Sequence, residues 1–92
     1  MARFDRALAD YVSERLRAAE SGETEALYDL GLLYSTGQGV ELDLVEAHKW
    51  FNLAAMMGLQ RAAVDRCDLA RDMSTTEIAH AQRQAREWQA AH

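Results

Sequence analysis

The sequence predicts an all-α protein, an α/α superhelical solenoid of about five antiparallel helices. Apolar side chains recur at helical spacing, and no segment alternates with the period of two that a strand requires. The chain has no proline, and short glycine-containing breaks separate its first four helical segments. Six residues also recur 36 positions later, a period typical of helical repeat arrays. The identical pairs are Ala18/Ala54, Ala19/Ala55, Gly22/Gly58, Ala26/Ala62, Asp29/Asp65 and Leu33/Leu69.

The composition is that of an ordinary globular protein with one modest core. Of its 92 residues, 49% are hydrophobic and 27% are charged. No uninterrupted apolar run approaches the length of a membrane span, and the N-terminal residues lack the apolar stretch of a secretory signal. The lone Cys67 cannot form an intramolecular disulfide. We therefore expect a cytoplasmic protein that does not insert into membranes.

The charge distribution bears on the choice of partner. The net charge of −5 argues against non-specific nucleic-acid binding. Residues 21–47 carry six acidic side chains and neither lysine nor arginine. Two interpretations remain open: an ordinary solvated face with acids near helix N-termini, or a surface that prefers a basic partner.

The first predicted helix covers residues 2–20 and buries one face. Ser21 and Gly22 end it, because glycine readily adopts the left-handed conformation of a C-terminal cap. The apolar positions are Phe4, Leu8, Tyr11, Val12, Leu16 and Ala19.

The second and third helices are predicted to form a hairpin. The second covers about 24–36, and Gly31 in its middle should let a neighbouring helix approach closely. Two glycines in the turn at 37–40 permit positive φ angles. Asp43 is expected to cap the third helix, which ends near Met57. The expected inward positions are Ala26, Leu27, Leu30, Leu33 and Tyr34, then Leu44, Ala47, Trp50, Phe51, Ala54 and Ala55.

Two further helices complete the chain. The fourth is predicted over residues 60–72. The fifth follows a capping box, in which Ser74 is the N-cap and Glu77 the third helical residue, and reaches about Ala90. Its narrow apolar stripe is typical of a helix that closes an array. The expected buried positions are Ala62, Ala63, Val64, Cys67 and Leu69, then Ile78, Ala81, Ala85 and Trp88.

This order predicts a single helical-repeat domain over residues 1–92. It has an N-terminal capping helix (1–22), one complete hairpin (24–58) and a degenerate C-terminal hairpin (60–91). If A denotes the first helix of each hairpin and B the second, the order is B, A–B, A–B, with one complete repeat between two partial ones.

Residues 26–62 resemble the Sel-one-like repeat (SLR), a relative of the tetratricopeptide repeat (TPR). The matching residues are Ala26, Leu30, Gly31, Tyr34, Gly37, Gly39, Val40, Asp43, Ala47, Trp50, Ala54, Ala55, Gly58 and Ala62. The match weakens outside this stretch: Glu14 stands where the family has tryptophan, and Arg66-Cys67 replace its leucine-glycine pair. The closing segment is similar to that of small bacterial SLR proteins. The resemblance implies a TPR-like solenoid that acts as an adaptor or scaffold between proteins, with structural rather than catalytic signature residues.

Residues that could carry chemistry favour structural roles. The Gly37-x-Gly39 turn follows a helix and lacks a third glycine, so it is unlike a phosphate-binding loop. The three histidines lack metal-ligand spacing. We expect His48 and His80 to be partly exposed and His92 to be a mobile terminal residue. Cys67 replaces a small family residue and is expected to be a buried hydrophobe rather than a reactive thiol.

No set of residues indicates an enzyme, a cofactor or a metal site. No catalytic triad has a local signature. The aromatic residues could form a stacking platform for single-stranded nucleic acid, but the sequence has no basic groove to accompany it. Trp50 and Tyr34 are better interpreted as core residues.

The sequence therefore favours a protein-interaction module. Its concave surface, formed by the A helices, would bind a peptide or helix with basic and apolar groups. Leu32 is the most informative position, because it lies off the inward stripe and is expected to be an exposed apolar contact. The candidate partner-binding residues are Tyr28, Asp29, Leu32 and Ser35 on the second helix and Asp65, Asp68 and Leu69 on the fourth.

The alternative is a structural accessory subunit or a self-associating module. Its contacts would use the solenoid ends, and the chain would be a monomer or weak homodimer. The apolar residues expected to be incompletely covered there are Phe4, Leu8, Tyr11, Ile78 and Trp88.

Overall fold

A computed structural model describes residues 5–92, which form five α-helices and contain no strand. The helices are α1 (Arg6–Glu20), α2 (Thr24–Thr36), α3 (Leu44–Met56), α4 (Gln60–Ala70) and α5 (Thr75–Ala91). The predicted all-α repeat fold is confirmed. Phe4, which the sequence assigns to the first apolar stripe, lies outside the described residues.

Side chains at the starts of α1, α3 and α5 satisfy backbone amides that have no partner within the helix. Asp5 accepts a hydrogen bond from the Leu8 amide, and Asp43 accepts one from the Glu46 amide, each at 3.1 Å. Before α5, the Ser74 hydroxyl accepts from the Glu77 amide while the Glu77 carboxylate accepts from the Ser74 amide. The predicted capping box is therefore present.

Glycine at positive φ shapes the hairpin turn after α2. Gly37 ends α2 in the left-handed region, with a φ of 70°. Gly39 has a φ of 71°, and a Cβ there would approach Leu8 and Val12 of α1 to 2.9 Å. The turn thus needs glycine both for its conformation and for the close packing of α1.

Helix α3 is the centre of the molecule, because it packs against α2, α4 and α5. Its Trp50 and Phe51 side chains are each 2% exposed. The Trp50 ring meets the edge of Trp88 on α5, with centroids 4.7 Å apart, and its indole nitrogen donates to Glu46 at 3.1 Å. The prediction that Trp50 belongs to the core is confirmed.

Gly31 gives α3 close access to α2. The Phe51 ring lies against the Gly31 backbone, where an added Cβ would overlap it. The same ring also contacts Tyr28, with centroids 5.5 Å apart. The predicted reason for a glycine in the middle of this helix is therefore correct.

Helix α1 docks on α2 of its own chain. Val12, Ala18 and Ala19 belong to the common core. Arg15 reaches across to α2 and donates to Asp29 at 3.0 Å. Leu8 and Leu16 are half-buried against the same core.

Three apolar positions that the sequence assigns to the core are exposed instead. Tyr11 is 43% exposed, Val64 is 53% exposed, and Cys67 is also on the surface. Helix geometry explains each case, because successive residues are rotated by about 100°. Val12 takes the inward position beside Tyr11, and on α4 Ala62 is the residue that points fully inward. Val64 and Cys67 are rotated well away from it.

We expect Gly31→Ala to destabilise the protein by roughly 1–3 kcal/mol, despite the helix propensity of alanine, because the new methyl group would displace the Phe51 ring. Urea unfolding measures the change. The control is the same substitution in a Phe51→Leu background, where most of the clash is absent. An equal loss in both backgrounds would show that the ring is not the cause.

Trp50→Ala should lower the free energy of unfolding by roughly 3–5 kcal/mol, because it empties the space between α3 and α5. Leu42→Ala is the matched control: Leu42 is 60% exposed, so its truncation should change stability by no more than about 0.5 kcal/mol. Similar unfolding midpoints for Trp50→Ala and the wild type would contradict the placement of this side chain.

Candidate partner-binding groove

An open groove runs between α2 and α4 where both helices pack on α3. Its lining residues are Leu32, Ser35, Phe51, Asp65, Asp68 and Leu69. Five of them are among the seven candidate partner-binding residues named from the sequence. The sixth, Phe51, is a core residue whose ring forms the floor. Its contribution was missed because the sequence does not show that the space above this ring is open.

Leu32 is 40% exposed and lines depressions on both sides of α2. On one side it faces the groove towards α4. On the other it lies with Tyr11, Asp29 and Thr36, in a depression towards α1. Leu32 is therefore an apolar ridge between two depressions, and its exposure agrees with its position off the inward stripe.

Tyr28 and Asp65 bind each other rather than facing solvent independently. The Tyr28 hydroxyl donates to Asp65 at 2.5 Å. This hydrogen bond to a carboxylate raises the pKa of Tyr28, because it stabilises the protonated phenol. Arg61 lies over the Tyr28 ring at 4.6 Å and pairs with Glu25 at 2.5 Å. These contacts join α2 to α4 beside the groove, where Asp65 has a hydrogen-bond donor and Glu25 has a cationic partner.

Asp29 faces α1 and does not line the groove towards α4. Its carboxylate accepts a hydrogen bond from Arg15, which also binds Glu14 at 2.6 and 2.7 Å. The hydrogen bonds to Glu14 and then Asp29 raise the pKa of Arg15 above its ordinary range, and Arg15 in turn lowers the pKa of Glu14. Asp29 therefore contributes to the docking of α1.

Asp68 is the least compensated carboxylate of the groove. Its side chain is 61% exposed, and its ion-pair partner on the described chain is Arg71, at 3.9 Å. A pair that is this long and exposed adds little stability. Asp68 is thus available to a cationic group that enters beside Leu32 and Leu69.

The solenoid ends differ in how much apolar surface they expose. At the α1 end, Leu8 is half-buried, while Tyr11 is exposed beside Arg15, 5.8 Å from the guanidinium carbon. At the α5 end, Ile78 and Trp88 are both half-buried. The Trp88 ring packs on Trp50 and is stacked against His92. Of the four described residues that the sequence assigns to the ends, Tyr11 is therefore the one that is exposed.

His48 is 3% exposed, so the expectation of a partly exposed histidine is wrong. It lies on α3, where neighbouring helices cover more than the single stripe inferred from the sequence. Its Nδ1 atom is buried without a hydrogen-bond partner. Burial, followed by the positive charge of Arg66 on α4, lowers the pKa of His48.

The other two histidines have local partners. His80 is exposed and lies 3.0 Å from the Gln84 amide nitrogen. His92 is stacked on Trp88 with ring centroids 3.7 Å apart, and its Nδ1 is 2.9 Å from the Trp88 carbonyl oxygen. The His92 ring thus has packing partners on α5, and the expectation that this terminal residue is mobile stays a prediction. A helical period alone does not reveal that its ring folds back onto α5.

The exposed Cys67 thiol corrects the expectation of a buried small hydrophobe. In residues 5–92, no group of three or more His, Cys, Asp or Glu side chains is placed to hold a metal ion. None of the five helices has the length and apolar character needed to cross a bilayer.

Comparison with known protein families finds a match to the Sel1 repeat over residues 24–59. The matched segment contains α2, the turn and α3, so it coincides with the hairpin around which the other helices pack. No curated protein matches the chain. Sel1 repeats are non-enzymatic helical modules that generally mediate protein–protein interaction.

We predict that His48 makes stability depend on pH. Because the folded-state pKa of His48 lies below the ordinary value of 6.5, lowering the pH protonates this residue in the unfolded chain before it does so in the folded protein. The contribution of His48 to the free energy of unfolding should be constant above pH 6.5. Below pH 6.5 it should fall by at most about 1.4 kcal/mol per pH unit. Urea unfolding between pH 7 and 5 measures the slope.

His48→Leu should flatten this slope, whereas His80→Gln, which alters an exposed histidine, should leave it as in the wild type. If the wild-type and His48→Leu slopes are the same, the buried imidazole is not the titrating group.

Proposed function

Because this chain is a Sel1-repeat protein, with its repeat at residues 24–59, we propose that it acts as an adaptor that binds another protein in the groove between α2 and α4. The observation that carries the proposal is Leu32, an exposed leucine between two depressions on the surface of the A helices. An exposed leucine gains free energy when a partner removes it from water.

The groove favours a partner with apolar and basic side chains next to each other. Leu32 and Leu69 offer apolar contact above the buried Phe51 ring, and Asp68 offers a weakly compensated carboxylate on the same surface. An amphipathic helix or an extended peptide can present a leucine or isoleucine beside a lysine or arginine at this spacing. The partner's apolar side chain would cover Leu32, and its cation would pair with Asp68.

The expected complex is modest in affinity. Only two A helices form the groove, so the interface falls in the small class that is typical of transient contacts. Higher affinity would need a second contact elsewhere on the surface. A cytoplasmic location suits this role, because the exposed Cys67 thiol would stay reduced there.

A self-associating module is the second candidate, and Tyr11 is the observation in its favour. The ring is 43% exposed at the α1 end, beside the half-buried Leu8. Light scattering across a dilution series separates the two candidates. A stable dimer that Tyr11→Ser dissociates would favour self-association, and a monomer throughout would favour the groove.

The groove is tested by Leu32→Glu combined with Asp68→Lys. These changes remove the apolar ridge and reverse the available charge, while the Arg15–Asp29 contact that docks α1 remains intact. Partners would first be identified by affinity purification and mass spectrometry from the source cells. Calorimetry on the identified partner should then show at least tenfold weaker binding, about 1.4 kcal/mol.

The matched control is Met56→Glu, which also places a carboxylate at an exposed apolar helical position, since Met56 is 47% exposed and does not line the groove. It should bind like the wild type. Unchanged affinity of the groove variant, or an equal loss in the control, would rule out the groove as the binding surface.

A further inference from the structure

A second cavity lies where the C-terminal ends of α1, α3 and α5 come together. It shares no lining residue with the groove between α2 and α4. Leu27, Leu53 and Met57 supply an aliphatic wall, and the Trp88 ring forms a flat aromatic surface. Glu20 and His92 are the ionisable side chains that line it. The cavity thus combines an apolar wall with an acidic group.

Two sources of negative potential meet at this cavity. Helix C-termini carry partial negative charge, and the residues that follow α1 and α3 line it. Glu20 adds a full charge on a side chain that is 60% exposed, and its ion-pair partner in residues 5–92 is His92, at 3.9 Å. Arg17 lies one turn earlier on α1 but forms no ion pair with Glu20. A cation is therefore the favoured occupant.

His92 already occupies this site in the way that a flat cation would. Its ring lies nearly parallel to the Trp88 indole, with an interplanar angle of 15° and centroids 3.7 Å apart. Nδ1 donates to the Trp88 carbonyl oxygen at 2.9 Å, since a carbonyl can only accept. Nε2 faces the Glu20 carboxylate. The site thus combines an aromatic face, a backbone acceptor and a carboxylate around one planar nitrogen-containing ring.

We propose that this cavity is a guanidinium pocket, which takes an arginine side chain of the partner protein in place of His92. A guanidinium is planar, stacks on aromatic faces and has five N–H donors, whereas an imidazole has at most two. It can therefore stack on Trp88 while it donates to both Glu20 and the Trp88 carbonyl. The apolar stem of arginine would lie along Leu27, Leu53 and Met57.

The inference rests on the proposed function in one respect, since the arginine belongs to a bound protein. The pocket itself can be tested alone with N-acetyl-arginine amide, a neutral-backbone mimic of an arginine within a chain. Binding would be followed by NMR through the indole N–H signal of Trp88. N-acetyl-citrulline amide is the matched control, because it has nearly the same shape but no charge.

The arginine compound should give a saturable shift and the citrulline compound none. Glu20→Gln should weaken binding about fivefold, because the charge-assisted contact is lost. His92→Ala should tighten it severalfold, because the side chain that competes for the site is gone. That gain distinguishes a displaceable occupant from a purely structural histidine, whose removal would weaken binding.

The proposal of a guanidinium pocket would be overturned by the absence of a saturable shift or by an equal shift with the citrulline compound. Weaker binding of the arginine compound to His92→Ala would also overturn it. The Leu32→Glu/Asp68→Lys variant should bind the arginine compound like the wild type. A failure of arginine binding in the cavity can therefore be distinguished from a failure of partner binding in the groove.

Discussion

The contact between the Phe51 ring and the backbone of Gly31 sets the distance between α2 and α3, and the rest of the molecule depends on that distance. Because the ring fills the place where a side chain would stand, the two helices lie close enough to share one core. Trp50, on the same helix, turns towards α5 and contacts Trp88. Phe51 thus packs α3 against α2, and Trp50 packs it against α5. The Phe51 ring also lies beneath the groove.

Most acids of the A-helix surface have partners within the chain. Arg15 compensates Asp29, Arg61 compensates Glu25, and Tyr28 donates to Asp65. Within the acidic stretch at residues 21–47, Asp29 and Glu25 therefore join α2 to α1 and α4. This pattern favours neither interpretation of the acidic stretch, whether as a solvated face or as a surface that prefers a basic partner. Asp68 and Glu20 are two carboxylates whose ion-pair partners are distant, at 3.9 Å each, and they remain available to a basic partner.

These two carboxylates lie on different surfaces, each beside exposed or half-buried apolar groups. Asp68 accompanies Leu32 and Leu69 in the groove, and Glu20 accompanies Trp88 in the cavity at the helix C-termini. A partner that used both would gain from two weak contacts on one rigid body. This arrangement would compensate for the short surface that the two A helices of residues 5–92 form.

The sequence by itself determined the helices, their ends and the core of the hairpin, because each follows from residues close together in the chain. Ser74 and Glu77 mark a helix start, Gly37 marks a helix end, and Trp50 falls on the inward stripe. Leu32 was found in the same way, from its place off that stripe. The tertiary structure alone decided which residues meet across helices. Arg15 reaches Asp29, and Tyr28 reaches Asp65 across 37 positions. Helical periodicity gives the direction of a side chain around its own axis, but it does not give the position of the neighbouring helix. For that reason the sequence predicts a partly exposed His48 and a buried Val64 and Cys67, whereas packing buries His48 and exposes the other two.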